Sequence, residues 1–412
     1  VVTLLDHLPS LRRAAAQRIA AGKWPDTTVV DELGRLCVGG IALTDLAAEF
    51  GSPVAVLDET DARHRLHRYR AAAGDVVPVV AGAALPTTVM RWVDGEGLGL
   101  SIRHARDLAA ARAAGVRAAR TVLHSRNLSH DELVAGAATQ PGRIVVESAM
   151  DVAYLGNAVP GRQRVLVGAV DGSPDPAVIE RVLHDQRLEL VGFHGSAGDD
   201  VEGCVRSLLS STWQTRRRHG TLLTEIHLVA DTDTGPAELA AATGDALDAA
   251  CAATRLPRPR LVVEYRWPIT VLAAVTVCRV NAVLGSTTGP RVVVVEAGAG
   301  RPSDGVVALA NRHPLSPTER MVVLAGDVEL ARGVELPCDV HAGDVLALAR
   351  TDAAEGVPLV AADDGVPHAL VRRMTVADML SRDVGYSAGH DQHVGGLHPD
   401  GHSLPGGELP GP

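Results

Sequence analysis

Residues 97–147 read GLGLSIRHARDLAAARAAGVRAARTVLHSRNLSHDELVAGAATQPGRIVVE, and their rhythm decides the fold. A short apolar run, Gly97–Ile102, is followed by a helical pattern over Ala105–Ala114. Two more apolar runs, Thr121–His124 and Ile144–Glu147, flank a second helical pattern, Ser129–Ala138. Brief apolar runs alternating with amphipathic helices are the pattern of parallel strands buried on both faces.

The same alternation extends in both directions. Upstream lie a strand at Pro53–Leu57, a helix at Ala62–Ala73, a strand at Val76–Val80 and a helix at Thr87–Val93. Downstream, the runs Val165–Val170, Leu188–His194, Glu225–Ala230 and Leu261–Tyr265 are separated by further helical patterns. This many units predict a (β/α)8 TIM-like barrel rather than an open sheet. Past Val280 the rhythm changes: Arg291–Glu296, Arg320–Val323 and Val345–Ala349 are β-rich and separated by Gly, Pro and Asp turns. The expected fold is therefore α/β, a barrel plus a C-terminal antiparallel β domain. The expected domains are an N-terminal segment at 1–48 partly contributing to the β domain, a barrel at 49–285, a β-rich domain at 286–385 and a disordered tail at 386–412. The tail's four histidines, His390, His393, His398 and His402, match no standard metal spacing.

Composition narrows the function classes. The chain of 412 residues is 46% hydrophobic and 21% charged, with a net charge of −10. That charge argues against a nucleic-acid partner, whose phosphates call for a basic face. No apolar run is long enough for a membrane helix, and the first residues lack a signal-peptide pattern, so a cytoplasmic location is expected. The five cysteines (Cys37, Cys204, Cys251, Cys278, Cys338) form no CxxC pair and read as free thiols. Of the 39 basic residues only one is lysine, Lys23.

Several strings, taken in order, resemble actinobacterial diaminopimelate decarboxylases. These are fold-type III pyridoxal-phosphate enzymes, a group that includes ornithine decarboxylase and alanine racemase. The strings are Leu43–Glu59 (LTDLAAEFGSPVAVLDE), His124–Leu133 (HSRNLSHDEL), Ile144–Ser148 (IVVES), Leu190–His194 (LVGFH), Leu261–Glu264 (LVVE), Ala342–Leu346 (AGDVL) and Arg372–Val384 (RRMTVADMLSRDV). The resemblance covers about Trp24–Val384 and implies the same barrel-plus-β-domain fold and a dimer.

The departures fall where the resemblance would place function. The cofactor lysine, upstream of the helix tryptophan Trp92, falls at Gly82, with Ala81 and Ala83 beside it, and no lysine occurs from Val76 to Leu100. The glycine-rich phosphate loop falls at Val229, Ala230 and Asp231, whose side chains would obstruct and repel a phosphate. The ring-stacking histidine falls at Ser196, and the Glu-Pro-Gly-Arg string becomes Glu264, Tyr265, Arg266, Trp267. Glu264 is thus the retained partner of a pyridinium nitrogen, while the phosphate-side arginine is lost. The segment that would reach across the dimer keeps only Gly326 and Asp327, and a late tyrosine becomes Ala354. A pyridoxal-phosphate enzyme needs a lysine amine at its reacting centre, so no cofactor is expected.

Strand ends of such a barrel supply its site. Here they are His124, Glu147, His194, His227, Asp231, Asp233 and Glu264. Two readings stay open. One is a set of satisfied polar residues in an inactive mouth, in a noncatalytic relative with a binding, regulatory or biosynthetic-partner role. Antizyme inhibitor, an inactive relative of ornithine decarboxylase, is a precedent for that reading. It implies a homodimer, or a heterodimer with a functional homologue. The other is a repurposed acid–base or metal site at the mouth, in an enzyme or small-molecule binder that does not use pyridoxal phosphate, with His194, His227, Asp231 and Glu264 as candidates. Imidazole and carboxylate groups suit zinc or a similar divalent ion and also acid–base work. No metal is assigned, because the spacing matches no established motif. Arg103, His104 and Arg266 stand where the family has small residues; packing or ion pairing with local Asp and Glu is the first reading, and filling the cofactor space or binding another anion, such as a carboxylate, is the other.

Overall fold

The computed structural model describes residues 19–20, 22–72, 77–81, 85–170, 172–198, 200–230, 236–265, 269–285, 289–302, 305–351 and 355–383. Eight strands form a closed parallel barrel. In chain order they are Val77–Ala81, Gly99–Ile102, Thr121–His124, Arg143–Val146, Gln163–Val170, Leu188–Gly198, Glu225–Ala230 and Arg260–Tyr265. The fourth and fifth strands pair, as do the eighth and first, so the ring has no open edge. The fold therefore follows the sequence reading: a helix-wrapped barrel accompanied by a sheet domain.

The connecting helices begin and end on local signals. Ser129 and Ser148 each form a capping box, with Glu132 and Asp151 respectively. Asp175 caps a helix that opens on Pro176, where the missing N–H costs nothing. Gly115 and Gly220 close their helices in the left-handed conformation. Helix Glu59–Ala72 comes before the first barrel strand and packs against Pro236–Thr254, completing the outer ring.

Strand alternation separates two cores. Outward residues such as Val80, Leu100, Leu123, Ile144, Val167, Phe193, Leu228 and Val263 pack on the helices. Inward residues Val79, Val122, Val145, Leu166, Val191 and Val262 form their own cluster inside the barrel. Because side chains alternate with period two, the inward position one step further along each strand is Ala81, His124, Glu147, Gly168 or Glu264.

The sixth strand reaches that level by a different count. Its register shifts between Leu190 and Gly192, so His194 rather than Phe193 follows Val191 on the inner face. Gly192 permits this shift: a Cβ there would lie 2.0 Å from the Glu225 carbonyl oxygen.

The second sheet runs in the order Val328–Pro337, Thr318–Ala325, Val292–Val295, Ala274–Leu284, Val54–Asp58, Leu359–Asp363, Val366–Val371, with Val307–Leu309 and Val345–Ala349 attached beside Ala274–Leu284. Two features differ from expectation. Val54–Asp58, read from sequence as a barrel strand, pairs with Ala274–Leu284 and Leu359–Asp363 instead. The sheet is also not purely antiparallel, since Val292–Val295 runs parallel to Thr318–Ala325 and Val54–Asp58 parallel to Leu359–Asp363. Trp24, Leu36, Val38, Leu43 and Leu46 from the N-terminal region share one core with Val54, Val275 and Val360.

Residues 373–412 form a separate unit, described here as far as Asp383. It holds the short helix Val376–Ser381, capped by Thr375 and Asp378. The tail read as disordered lies outside the described residues. None of the described helices is long and apolar enough to cross a membrane.

Candidate functional site

Side chains from the second, third, sixth and eighth strands converge at the carboxyl ends of the barrel strands, above the inner apolar layer. Glu264 is the hub. Its Oε1 accepts hydrogen bonds from Ser101 Oγ at 2.9 Å and from an Arg103 guanidinium nitrogen at 2.5 Å. Its Oε2 lies 3.3 Å from His124 Nε2 and 3.8 Å from His194 Nε2. Ser101 Oγ is also 3.1 Å from His124 Nε2, and the two imidazoles meet edge to face with centroids 4.9 Å apart. Ser101, His124, His194 and Glu264 are all buried, whereas the Arg103 side chain keeps 30% of its exposure. Arg103 therefore forms the solvent side of the cluster.

Charge follows from this packing. Burial pushes the Glu264 carboxyl up, but His124, His194 and Arg103 outweigh it and hold the group well below the carboxylate range. Burial also lowers His124, only partly offset by Glu264, which favours the uncharged ring. The guanidinium is then the fixed positive charge facing the carboxylate. His194 Nε2 is buried and has no hydrogen-bond partner among the described residues, an arrangement that ordinarily costs about 1–3 kcal/mol.

A second polar cluster closes the opposite end of the barrel. Glu225 and Arg143, each the first residue of its strand, form a two-pronged ion pair, one bond of which measures 2.6 Å. His227 Nε2 lies 3.2 Å from Glu225 Oε2. Burial would raise Glu225, but hydrogen bonds from Arg143 and His227 bring it down to about 2. Burial lowers His227 to about 4, against the pull of Glu225.

The expected site residues thus separate. His124, His194 and Glu264 come together, and Arg103 joins them. His227 does not: it pairs in register with Val262, one inward step below Glu264, and its Nε2 turns toward Glu225. Glu147 is held by Arg126 at 2.5 Å, and Gly168 leaves room for its side chain. Tyr265 points outward and stacks on Tyr69 at 4.2 Å, so it does not plug the mouth. Val229 and Ala230, read as the lost phosphate loop, are strand residues bonded in register to Glu264 and Tyr265. Asp231, Asp233, Gly82, Arg266, Trp267 and Ala354 lie outside the described residues. Ser101 went unread, although it stands two residues before Arg103 on the same strand face. Arg143 and Glu225 were also missed, and complementary charges at strand starts were their signal.

No family model matches the chain. A diaminopimelate decarboxylase from Actinosynnema pretiosum subsp. auranticum is 32% identical over 444 residues, covering 93% of this chain and 100% of that protein. The chain belongs to the diaminopimelate decarboxylase family. The enzyme of that name from Mycobacterium tuberculosis is 30% identical, with 89% of this chain and 98% of that one covered. Among solved structures, diaminopimelate decarboxylase from M. jannaschii superposes with a TM-score of 0.76 at 16% identity, covering 89% of this chain and 99% of that chain. A lysine/ornithine decarboxylase from Vibrio vulnificus, complexed with cadaverine, superposes with a TM-score of 0.65 at 14% identity, covering 77% and 97%. These structures share the family fold: the barrel with its accompanying sheet.

Proposed function

We propose that this chain is a cytoplasmic member of the family that forms no internal aldimine with pyridoxal phosphate. It acts instead as a noncatalytic binding or regulatory partner, as a homodimer or paired with a functional homologue. The observation that carries this reading is the pairing of Arg103 with Glu264 at 2.5 Å. The resemblance assigns that carboxylate to a pyridinium nitrogen, and here an internal cation and Ser101 already take it up. The cluster is closed to solvent beneath Arg103, so a ring-sized cofactor does not fit against Glu264 in this arrangement. The amine supports the same reading. The sole lysine, Lys23, is exposed and precedes Trp24, which packs in the core of the second sheet rather than in the barrel. When bound, pyridoxal phosphate supplies an electron sink for carbanion chemistry. The residues at this barrel mouth instead neutralise one another.

An assay of carbon dioxide release from diaminopimelate, with pyridoxal phosphate added, tests the reading. Release should stay at the background of heat-treated protein. Release above that background, abolished in Lys23→Arg, would overturn it. A second reading, a ligand site at the mouth that does not use pyridoxal phosphate, draws support from one feature. The buried, unpartnered Nε2 of His194 faces Glu264 and His124.

A further inference from the structure

We propose that His124, His194 and Glu264 form a binding site for a divalent transition-metal ion with the ligand preferences of zinc. The site goes beyond the noncatalytic reading and does not depend on it.

The first support is geometric. The three side chains come from the third, sixth and eighth barrel strands, and their ligand-type atoms all lie within 4.8 Å of one another. Glu264 Oε2 is 3.3 Å from one imidazole nitrogen and 3.8 Å from the other. Zinc bonds of about 2.0–2.1 Å in a tetrahedron hold neighbouring ligands roughly 3.3–3.5 Å apart. The two carboxylate–imidazole distances are thus within a few tenths of an ångström of that spacing, and the ion would draw the two imidazole nitrogens, which lie within 4.8 Å of each other, together. Two imidazoles and one carboxylate are also a ligand set that zinc uses, with a fourth position left open.

The second support is independent of the spacing. His194 Nε2 is buried and unpartnered, and it faces the carboxylate from just beyond hydrogen-bond range. An ion between them would give that nitrogen the partner it lacks.

The third support is how the carboxylate divides its oxygens. Ser101 and Arg103 both bond Oε1, leaving Oε2 toward the histidines. Ligating carboxylates are commonly anchored this way by outer hydrogen bonds. His124 Nε2 would exchange its contact with Ser101 for the ion, while Ser101 keeps its bond to Glu264. Charge identifies the fourth ligand. Among the described residues of this cluster a divalent ion and the Arg103 guanidinium would face one carboxylate, Glu264, so the open position favours an anion such as hydroxide or a small carboxylate.

The test uses the full chain, stripped with a chelator and titrated with zinc in competition with a chromophoric indicator. Replacing His390, His393, His398 and His402 with alanine beforehand removes the tail as a competing site. One equivalent of zinc per chain is expected. His194→Leu should weaken binding by more than the roughly 10–100-fold that loss of an outer partner costs. Because His194 helps hold the Glu264 carboxylate, a thermal melt without metal checks that this variant folds before its zinc affinity is read. Cobalt gives a second readout, with the intense visible bands of a tetrahedral site expected in the wild type. Absence of stoichiometric zinc, a weak octahedral cobalt spectrum, or unchanged affinity in His194→Leu would each overturn the proposal. None of these outcomes bears on pyridoxal phosphate, so the metal site and the noncatalytic reading fail separately.

Discussion

The Arg103 guanidinium donates to Glu264 Oε1 at 2.5 Å, and this pair joins the second barrel strand's end to the eighth at the solvent edge of a buried polar cluster. The carboxylate is nearly inaccessible and the arginine is not, so the two ends of the pair contribute differently. Removing the cation leaves a buried anion with less compensation, whereas removing both leaves an apolar contact.

Arg103→Met should therefore destabilise the chain by roughly 3 kcal/mol, the low end for a buried pair because the arginine retains some exposure. Adding Glu264→Met should recover part of that loss. Urea unfolding of both single variants and the double variant measures the coupling. Strictly additive losses would show that the pair is not a unit.

Gly192→Ala should be among the most damaging single-methyl additions, beyond about 3 kcal/mol, because the new carbon meets a backbone carbonyl that cannot swing aside. Gly168→Ala should cost less. There the Cβ meets Glu147 Cγ at 2.7 Å, and that side chain can rotate away. Comparing the two melting temperatures checks whether the bulge that turns His194 inward has this origin.

Acid should weaken the fold in two stages. His227 is lowered from 6.5 to about 4, so the unfolded chain binds the extra proton between those values. The stabilisation is complete above pH 6.5 and is lost as pH falls toward 4. Glu225 is lowered from 4.5 to about 2, so its contribution is present above pH 4.5 and is lost as pH falls toward 2. Both terms have the same sign. His227→Asn should flatten the stability profile between pH 6.5 and 4, as followed by urea midpoints, and an unchanged slope would rule out this origin.

Tyr265→Phe should hold or raise stability, by up to about 1 kcal/mol. The hydroxyl is buried with no partner among the described residues, while the stack on Tyr69 at 4.2 Å needs only the ring. Thermal melts suffice, and a clear loss would point to a bond that this arrangement lacks.

Sequence carried the barrel because its strands and helices differ in period, as in residues 97–147. It could not assign Val54–Asp58, since a short apolar run bounded by turns has the same pattern in either sheet. The parallel pairings in the second sheet join segments far apart in the chain, and no local pattern records them. At the site, His124, His194 and Glu264 were legible as polar residues ending apolar runs. His227 looked equivalent but lies one inward step too deep, a distinction that depends on register between strands. His194 faces inward only because of the bulge at Gly192, which periodicity alone would have turned outward. Ser101 escaped because a small hydroxyl gives little signal until its neighbours are known.

The most direct test of the central claim is a titration of the purified full chain with pyridoxal phosphate, followed by visible absorbance and by mass after borohydride reduction. The chain is predicted to show no saturable spectral shift and no stoichiometric reduced adduct, with any trace labelling confined to exposed amines and unaffected by Glu264→Gln. Saturable binding of one cofactor per chain, with a visible aldimine band that Glu264→Gln shifts or abolishes, would contradict the account.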